Sequence, residues 1–174
     1  REKNLAFMLE QESISDPSPK IYSLNPSGEI PVLEDENGEV VCGNYPITEY
    51  LEESYPAISL HGNVPEEKRE IRRLTDWFDS KFDREVTQKL LFEKVFKRLE
   101  RKGGPDTRVM REGRNNLHPH LDYIAYLTEN QQWLAGDKIT LADLAAGSHI
   151  SALDYIGEIK WADYPEVKHW YSII

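Results

Sequence analysis

The sequence predicts a two-part α+β/α chain, with a small hairpin-bearing unit followed by an all-helical one. Three observations lead there. Ser23 to Glu53 reads as loop, strand, turn, strand, helix. From Pro65 onward, apolar residues recur at three- and four-residue spacings. Lys138 to Asp154 carries a helix-start signal followed by small residues suited to burial.

In the first unit, Asn25-Pro26-Ser27-Gly28 is a cluster of breaker residues and marks a turn or loop. Ile30 to Leu33 is a short β-branched run, expected to be a strand. Pro31 inside it has no N–H for a ladder, so it marks an edge, a bend or a cis bond. Asp35-Glu36-Asn37-Gly38 carries an Asn-Gly hairpin signal, and Glu39 to Cys42 is the return strand. Tyr45-Pro46 opens a helix with Ile47, Tyr50 and Leu51 on one face. Asn44 is expected to cap it. Tyr55-Pro56 ends it, because the residue before a proline disfavours helix. The expected division is residues 1–57, a linker over 58–64, and a helical domain over 65–174.

In the second unit, Pro65 suits a first helical turn, and Glu66 and Glu67 suit its positive end. Ile71, Leu74, Phe78, Phe82, Val86, Leu90, Phe96 and Leu99 mark one long amphipathic helix or two abutting ones. Gly103-Gly104-Pro105 stops it, and Asp106 is the expected cap of the next helix. Val109, Leu117, Leu121, Ile124 and Leu127 mark that helix's buried side, packed antiparallel to the first. Thr140 and Asp143 form a capping box, with Ile139 and Leu144 at the staple positions. A last helix starts near Pro165.

Composition excludes several classes. The 174 residues suit one or two small domains, and a net charge of −10 argues against a nucleic-acid partner. The locally basic Lys94 to Lys102 reads as a solvated helix end or as a docking patch for an acidic peptide. The lone Cys42 excludes an intrachain disulfide, and its place at a strand end suits a small buried residue. No apolar run reaches membrane-spanning length and no signal peptide is visible. Asp76, Asp79, Asp83 and Glu85, with Lys81 and Arg84, read as a solvated face with i,i+4 ion pairs. His118 and His120 flank Pro119 and match no zinc spacing, so no metal site is expected. Trp77, Phe78, Phe82, Phe92 and Phe96 are core residues or line a cleft for an apolar ligand.

The string NPSGEIPVL, the hairpin after it and the ITEYLEE helix resemble the glutathione-binding half of a glutathione S-transferase. WLAGDKITLADL resembles the capping motif of that family's helical domain. The resemblance implies a thioredoxin-like first domain with a cis Ile30–Pro31 bond, and Ile30 facing the thiol of glutathione. It places Gly43 and Asn44 where the family carries a Glu-Ser pair for the γ-glutamyl end. Gly43 has no side chain for that task, so half of the ligand role is missing.

By the same resemblance, Glu2 to Leu9 matches the end of a first helix and a second strand. An N-terminal segment is then expected to precede Arg1, and the loop from Gln11 to Tyr22 is short for this fold. The family's catalytic residue lies in that earlier segment, so no catalytic residue is assigned.

Trp77 to Leu99, Gly113 to Leu127 and Trp133 to Gly157 resemble a narrower group, the bacterial GST-like cell-division proteins of the FzlA family. That resemblance implies a cytoplasmic homodimer that binds filaments of the tubulin-like protein FtsZ, with little or no transferase activity. The alternative it leaves is an active glutathione S-transferase acting on small electrophiles, with glutathione as substrate and no other cofactor.

Overall fold

The computed structural model describes residues 1–14 and 16–174. Ser15, inside the loop read over Gln11–Tyr22, lies outside the described residues. The chain divides into two units, Arg1–Ser59 and Leu60–Ile174.

The first unit contains α1 (Pro19–Leu24), β1 (Val32–Glu34), β2 (Val40–Cys42) and α2 (Asn44–Ser54). The helix α1 corrects the expected loop. Ser18-Pro19 was its signal, since proline suits the first helical position. Leu5 to Leu9 is not a strand: it pairs with no strand among the described residues, and Met8 and Leu9 are exposed. Both hairpin strands are also shorter than expected.

β1 and β2 pair antiparallel with Leu33 opposite Val41. Ile30 and Pro31 stay outside the ladder, and Pro31 has no N–H to give it. The turn is not the two-residue type that Asn-Gly favours. Gly38 N–H bonds Asp35 O at 3.1 Å, Asp35 N–H bonds Glu39 O at 3.0 Å, and Gly38 has φ 81°. That is a three-residue loop closed by a left-handed glycine. The Asp35 carboxylate holds it, accepting from Asn37 N–H (2.8 Å) and Glu39 N–H (2.9 Å).

The second unit opens with a helical rod over residues 65–99. It comprises α3 (Pro65–Asp76), π1 (Trp77–Thr87), α4 (Gln88–Leu91), π2 (Phe92–Phe96) and α5 (Lys97–Leu99). Pro65 is at the first helical position, with Glu66 and Glu67 in the first turn. The π-type stretches have a reading in the sequence. Leu74, Phe78, Phe82, Val86 and Leu90 recur at every fourth residue and all are fully buried. In an α-helix each four-residue step overshoots one turn by about 40°, so these five would spread over about 160°. The wider i→i+5 turns absorb that overshoot and keep the stripe on one side.

α6 (Thr107–Leu127) runs antiparallel to the rod. Its contacts with the rod step backward along the sequence. Trp77 meets His120, Glu85 O accepts from Asn116, Lys89 pairs with Glu112, and Glu93 accepts from Asp106 N–H at 2.6 Å. Gly113 makes the close approach possible, since a Cβ there would lie 2.9 Å from Leu90. Asp106 caps α6, accepting from Arg108 N–H (2.8 Å) and Val109 N–H (3.3 Å). Leu117, Leu121 and Ile124 are buried; Val109 and Leu127 are half-buried.

α7 (Leu141–Tyr155) crosses the centre of the unit, burying Ala142, Ala146, Gly147, Ile150 and Leu153. A 3₁₀ turn (Trp161–Asp163) and α8 (Pro165–Ser172) follow, with Trp170 buried in the same core. The capping box at Thr140 is formed. Its aspartate does more than cap. Asp143 Oδ2 accepts from Thr140 N–H (2.9 Å) and Thr140 Oγ1 (3.0 Å), and Oδ1 from Leu134 N–H (2.8 Å) and Trp170 Nε1 (3.0 Å).

Candidate functional site

The candidate ligand site lies in the first unit, where the loop, the hairpin and the start of α2 converge. Asn25 shapes the loop: its Oδ1 accepts from Ser27 N–H and Oγ, and its Nδ2 donates to Glu29 O at 2.8 Å. The chain then enters the Ile30–Pro31 bond, which is cis. Pro31 O accepts from Gly43 N–H at 2.9 Å, which ties the start of the hairpin to the residue before α2. The backbone N–H and C=O of Ile30 have no protein partner among the described residues, and Ile30 is partly exposed. Tyr50 Oη donates to Asp35 at 2.8 Å and locks α2 against the turn. That bond, with the turn's N–H groups, holds the Asp35 carboxyl below its ordinary range.

Asn44 does not cap α2. It is the first helical residue, and the capping position belongs to Gly43, which offers no side-chain bond. A capping side chain must come from the extended residue before the helix, so Asn44 sits one place too late. The first N–H groups of α2 are therefore left uncapped by any side chain. With the helix dipole they favour a carboxylate, and the free Ile30 backbone favours an extended peptide.

Gly43 has φ 90° and ψ 151°, a region that is essentially glycine's alone. The glutamate that the resemblance implies for this position would thus be strained there. Gly43→Glu is expected to cost about 1–3 kcal/mol in stability and to leave glutathione affinity no better. Urea unfolding and calorimetric titration of the variant check both parts.

The other residues singled out lie elsewhere. Cys42 is half-buried rather than buried, with Sγ 3.7 Å from Leu24 O. Lys94 to Lys102 is not merely a solvated end: Lys94 pairs with the buried Glu158 at 2.6 Å and bonds Ile156 O, and Lys97 pairs with Glu93. Arg114 also grips Glu158, and the two cations outweigh burial to hold that carboxyl below its usual range. Of Asp76, Asp79, Asp83 and Glu85, Glu85 forms an i,i+4 pair with Lys81. Burial pushes Asp79 upward, and its carboxylate stands 3.9 Å from His149 Nε2.

The histidines part company. His118 is exposed, with Nδ1 2.7 Å from Tyr164 Oη. His120, on α6, is buried against the rod: Trp77 Nε1 donates to its Nδ1 at 3.0 Å, and its Nε2 lies 3.2 Å from Glu85 Oε2. His149 on α7 contacts Thr87 Oγ1 at 2.9 Å. The Phe82 ring packs against both imidazoles, at centroid distances of 4.9 Å and 5.4 Å. Phe78 and Phe82 are core; Trp77 and Phe96 are half-buried and Phe92 is exposed.

Burial holds both His120 and His149 below the ordinary histidine value. The unfolded chain then binds more protons than the folded one once pH drops below about 6.5, so stability falls through that value. The paired carboxylates Glu85 and Glu93, held low by Lys81 and by the Asp106 N–H, withdraw their share only below about pH 4.5. Asp79, shifted upward, works weakly the other way. Urea midpoints should hold level from about pH 8 to 7 and fall by pH 5.5. Midpoints that stay level to pH 5 would contradict this.

Known proteins share both units. The family model described as the glutathione S-transferase N-terminal domain matches residues 1–54, and that of the C-terminal domain matches residues 88–174. FtsZ-localized protein A of Caulobacter vibrioides is 44% identical over 173 residues, covering 98% of this chain and 76% of that protein. A crystal structure described as a glutathione S-transferase from Rhodospirillum rubrum F11 superposes with TM-score 0.93 at 43% identity, covering 99% of this chain and 77% of that one. The structure of FzlA from C. crescentus superposes with TM-score 0.90 at 43% identity, covering 98% and 76%. No helix among the described residues is long and apolar enough to cross a membrane. The two matched domains, the cis-proline hairpin and these relatives together establish that the chain belongs to the glutathione S-transferase superfamily, with FzlA among its relatives.

Proposed function

We propose that this protein is a GST-fold adaptor that binds FtsZ filaments in bacterial cell division. It works in the cytoplasm as a homodimer and conjugates little or no glutathione. The observation that carries the reading is the near-complete coverage by FtsZ-localized protein A at 44% identity. The ligand site supports it from the other side. Gly43 stands where the family's acidic residue would grip the γ-glutamyl ammonium, and its backbone conformation disfavours a side chain there.

The alternative is a working transferase, and one observation favours it. The Ile30 backbone beside cis-Pro31 is unpaired, and the start of α2 is uncapped by a side chain, so an extended peptide with a carboxylate has partners waiting. Pro31, Gly43 and Asn44 complete that site.

Two measurements divide the readings. Co-sedimentation with FtsZ polymers in GTP should pellet the protein with the filaments, and calorimetry at millimolar glutathione should show no saturable heat. Failure to pellet, together with saturable heat and conjugation of a test electrophile, would establish the transferase instead.

A further inference from the structure

We propose that His120 and Trp77 form an acid-released latch, in which protonation of the imidazole expels the indole from its place on the helical unit. An indole N–H can only donate. Trp77 Nε1 points at His120 Nδ1 at 3.0 Å, so that nitrogen carries the lone pair. The neutral ring must then hold its proton on Nε2, which faces the Glu85 carboxylate at 3.2 Å. Adding a second proton puts an N–H on Nδ1, directly against the indole N–H. Two donors cannot share that contact, so one group has to move.

His120 has no room to do so. Its side chain is 3% exposed, Phe82 packs on it at 4.9 Å, and Glu85 holds the imidazolium more tightly than the neutral ring. Trp77 is only half-buried: one side packs against the core, and the Tyr123 ring at 4.9 Å and the Lys81 ammonium at 5.5 Å flank it. The indole is the mobile partner. Its departure uncovers the Tyr123–Tyr126 stack on the outer side of α6, where Tyr126 is already 70% exposed.

The charged and titratable groups around His120 are few. The rod supplies Glu85 and Lys81, α6 itself supplies Tyr123, and α7 supplies His149 across the Phe82 ring, with Asp79 and Asp83 beyond it. Glu85 favours the imidazolium; Lys81 and burial oppose it, which places the release on the acid side of neutrality. The device does not depend on the FtsZ reading.

Nuclear magnetic resonance of the full chain tests it. The Trp77 indole N–H signal, assigned by its loss in Trp77→Phe, should move with the same pH midpoint as the His120 ring protons. Trp77→Phe removes the opposing donor, so the His120 midpoint should rise while that of His149 stays put. Glu85→Gln should move the His120 midpoint the other way. An indole signal that ignores the His120 titration overturns the latch, and so does a His120 midpoint unmoved in a folded Trp77→Phe. If Trp77→Phe does not fold, the coupled titration in the unaltered protein decides alone, with the indole signal assigned through its contacts to Tyr123.

Discussion

Asp143→Ala is expected to lower the unfolding free energy by about 3 kcal/mol or more. The carboxylate is fully buried and receives four donors: the Leu134 and Thr140 N–H groups, the Thr140 hydroxyl and the Trp170 indole. Truncation leaves these donors in an apolar interior without a partner. Each buried orphan costs roughly 1–3 kcal/mol, partly offset because the buried charge is removed as well. Loss of the cap alone would cost only about 1 kcal/mol. The two magnitudes separate a local cap from a tertiary anchor, and urea unfolding reads the difference. Asp143→Asn should fall between. It keeps one acceptor oxygen but turns an amide N–H toward at least one of the donors. A loss near 1 kcal/mol for Asp143→Ala would mean that water enters and satisfies the orphans.

Phe82→Ala is expected to cost about 3–5 kcal/mol, the range for removing a buried aromatic ring. The ring is fully buried at the middle of the five-residue stripe and touches Phe78, His120 and His149. Its loss opens a cavity shared by the rod, α6 and α7, and the flanking helices cannot collapse into it without giving up their own packing. Phe92 supplies the control. It lies on the same rod but is 37% exposed, so Phe92→Ala should cost about 1 kcal/mol or less. A similar loss at both positions would contradict the assignment of the stripe to the core. Since 5–15 kcal/mol is the usual whole for a domain, either buried variant will leave the helical unit marginal at 37 °C.

These two expectations matter for function because the adaptor reading needs a rigid helical unit. A variant meant to test FtsZ binding has to spare Asp143 and Phe82, or loss of fold will pass for loss of binding.

How much was legible follows from the range of each interaction. Pro65 at a helix start, Asp106 as a cap and Thr140 with Asp143 as a box were readable because each acts within three or four residues. The hairpin was readable for the same reason, though its loop type was not. Asn-Gly favours a two-residue turn, and the Asp35 carboxylate pulled the chain into a three-residue one. The π-type turns were written in the strict fourfold spacing of Leu74 to Leu90, but a tally of three- and four-residue steps hides it.

In the candidate site the sequence marked Ile30, Pro31, Gly43 and Asn44 as positions, and misjudged one role. Asn44 looked like a cap by residue type; only the backbone showed that Gly43 holds that place. In the sequence His120 and His118 were marked only as flanking Pro119 without a zinc spacing. The burial of His120 against Trp77 and Glu85 depends on residues 43 and 35 positions away, beyond any local pattern.

By itself, then, the sequence determined the order of the main elements from the hairpin onward and most of their start signals, because local backbone chemistry and periodicity carry that information, while the superfamily came from the resemblance of its motifs. Only the tertiary structure decided which caps are also anchors, which charges are paired and which histidines are buried. Those outcomes depend on which distant groups lose their water together, and burial is a property of the packed chain rather than of any stretch within it.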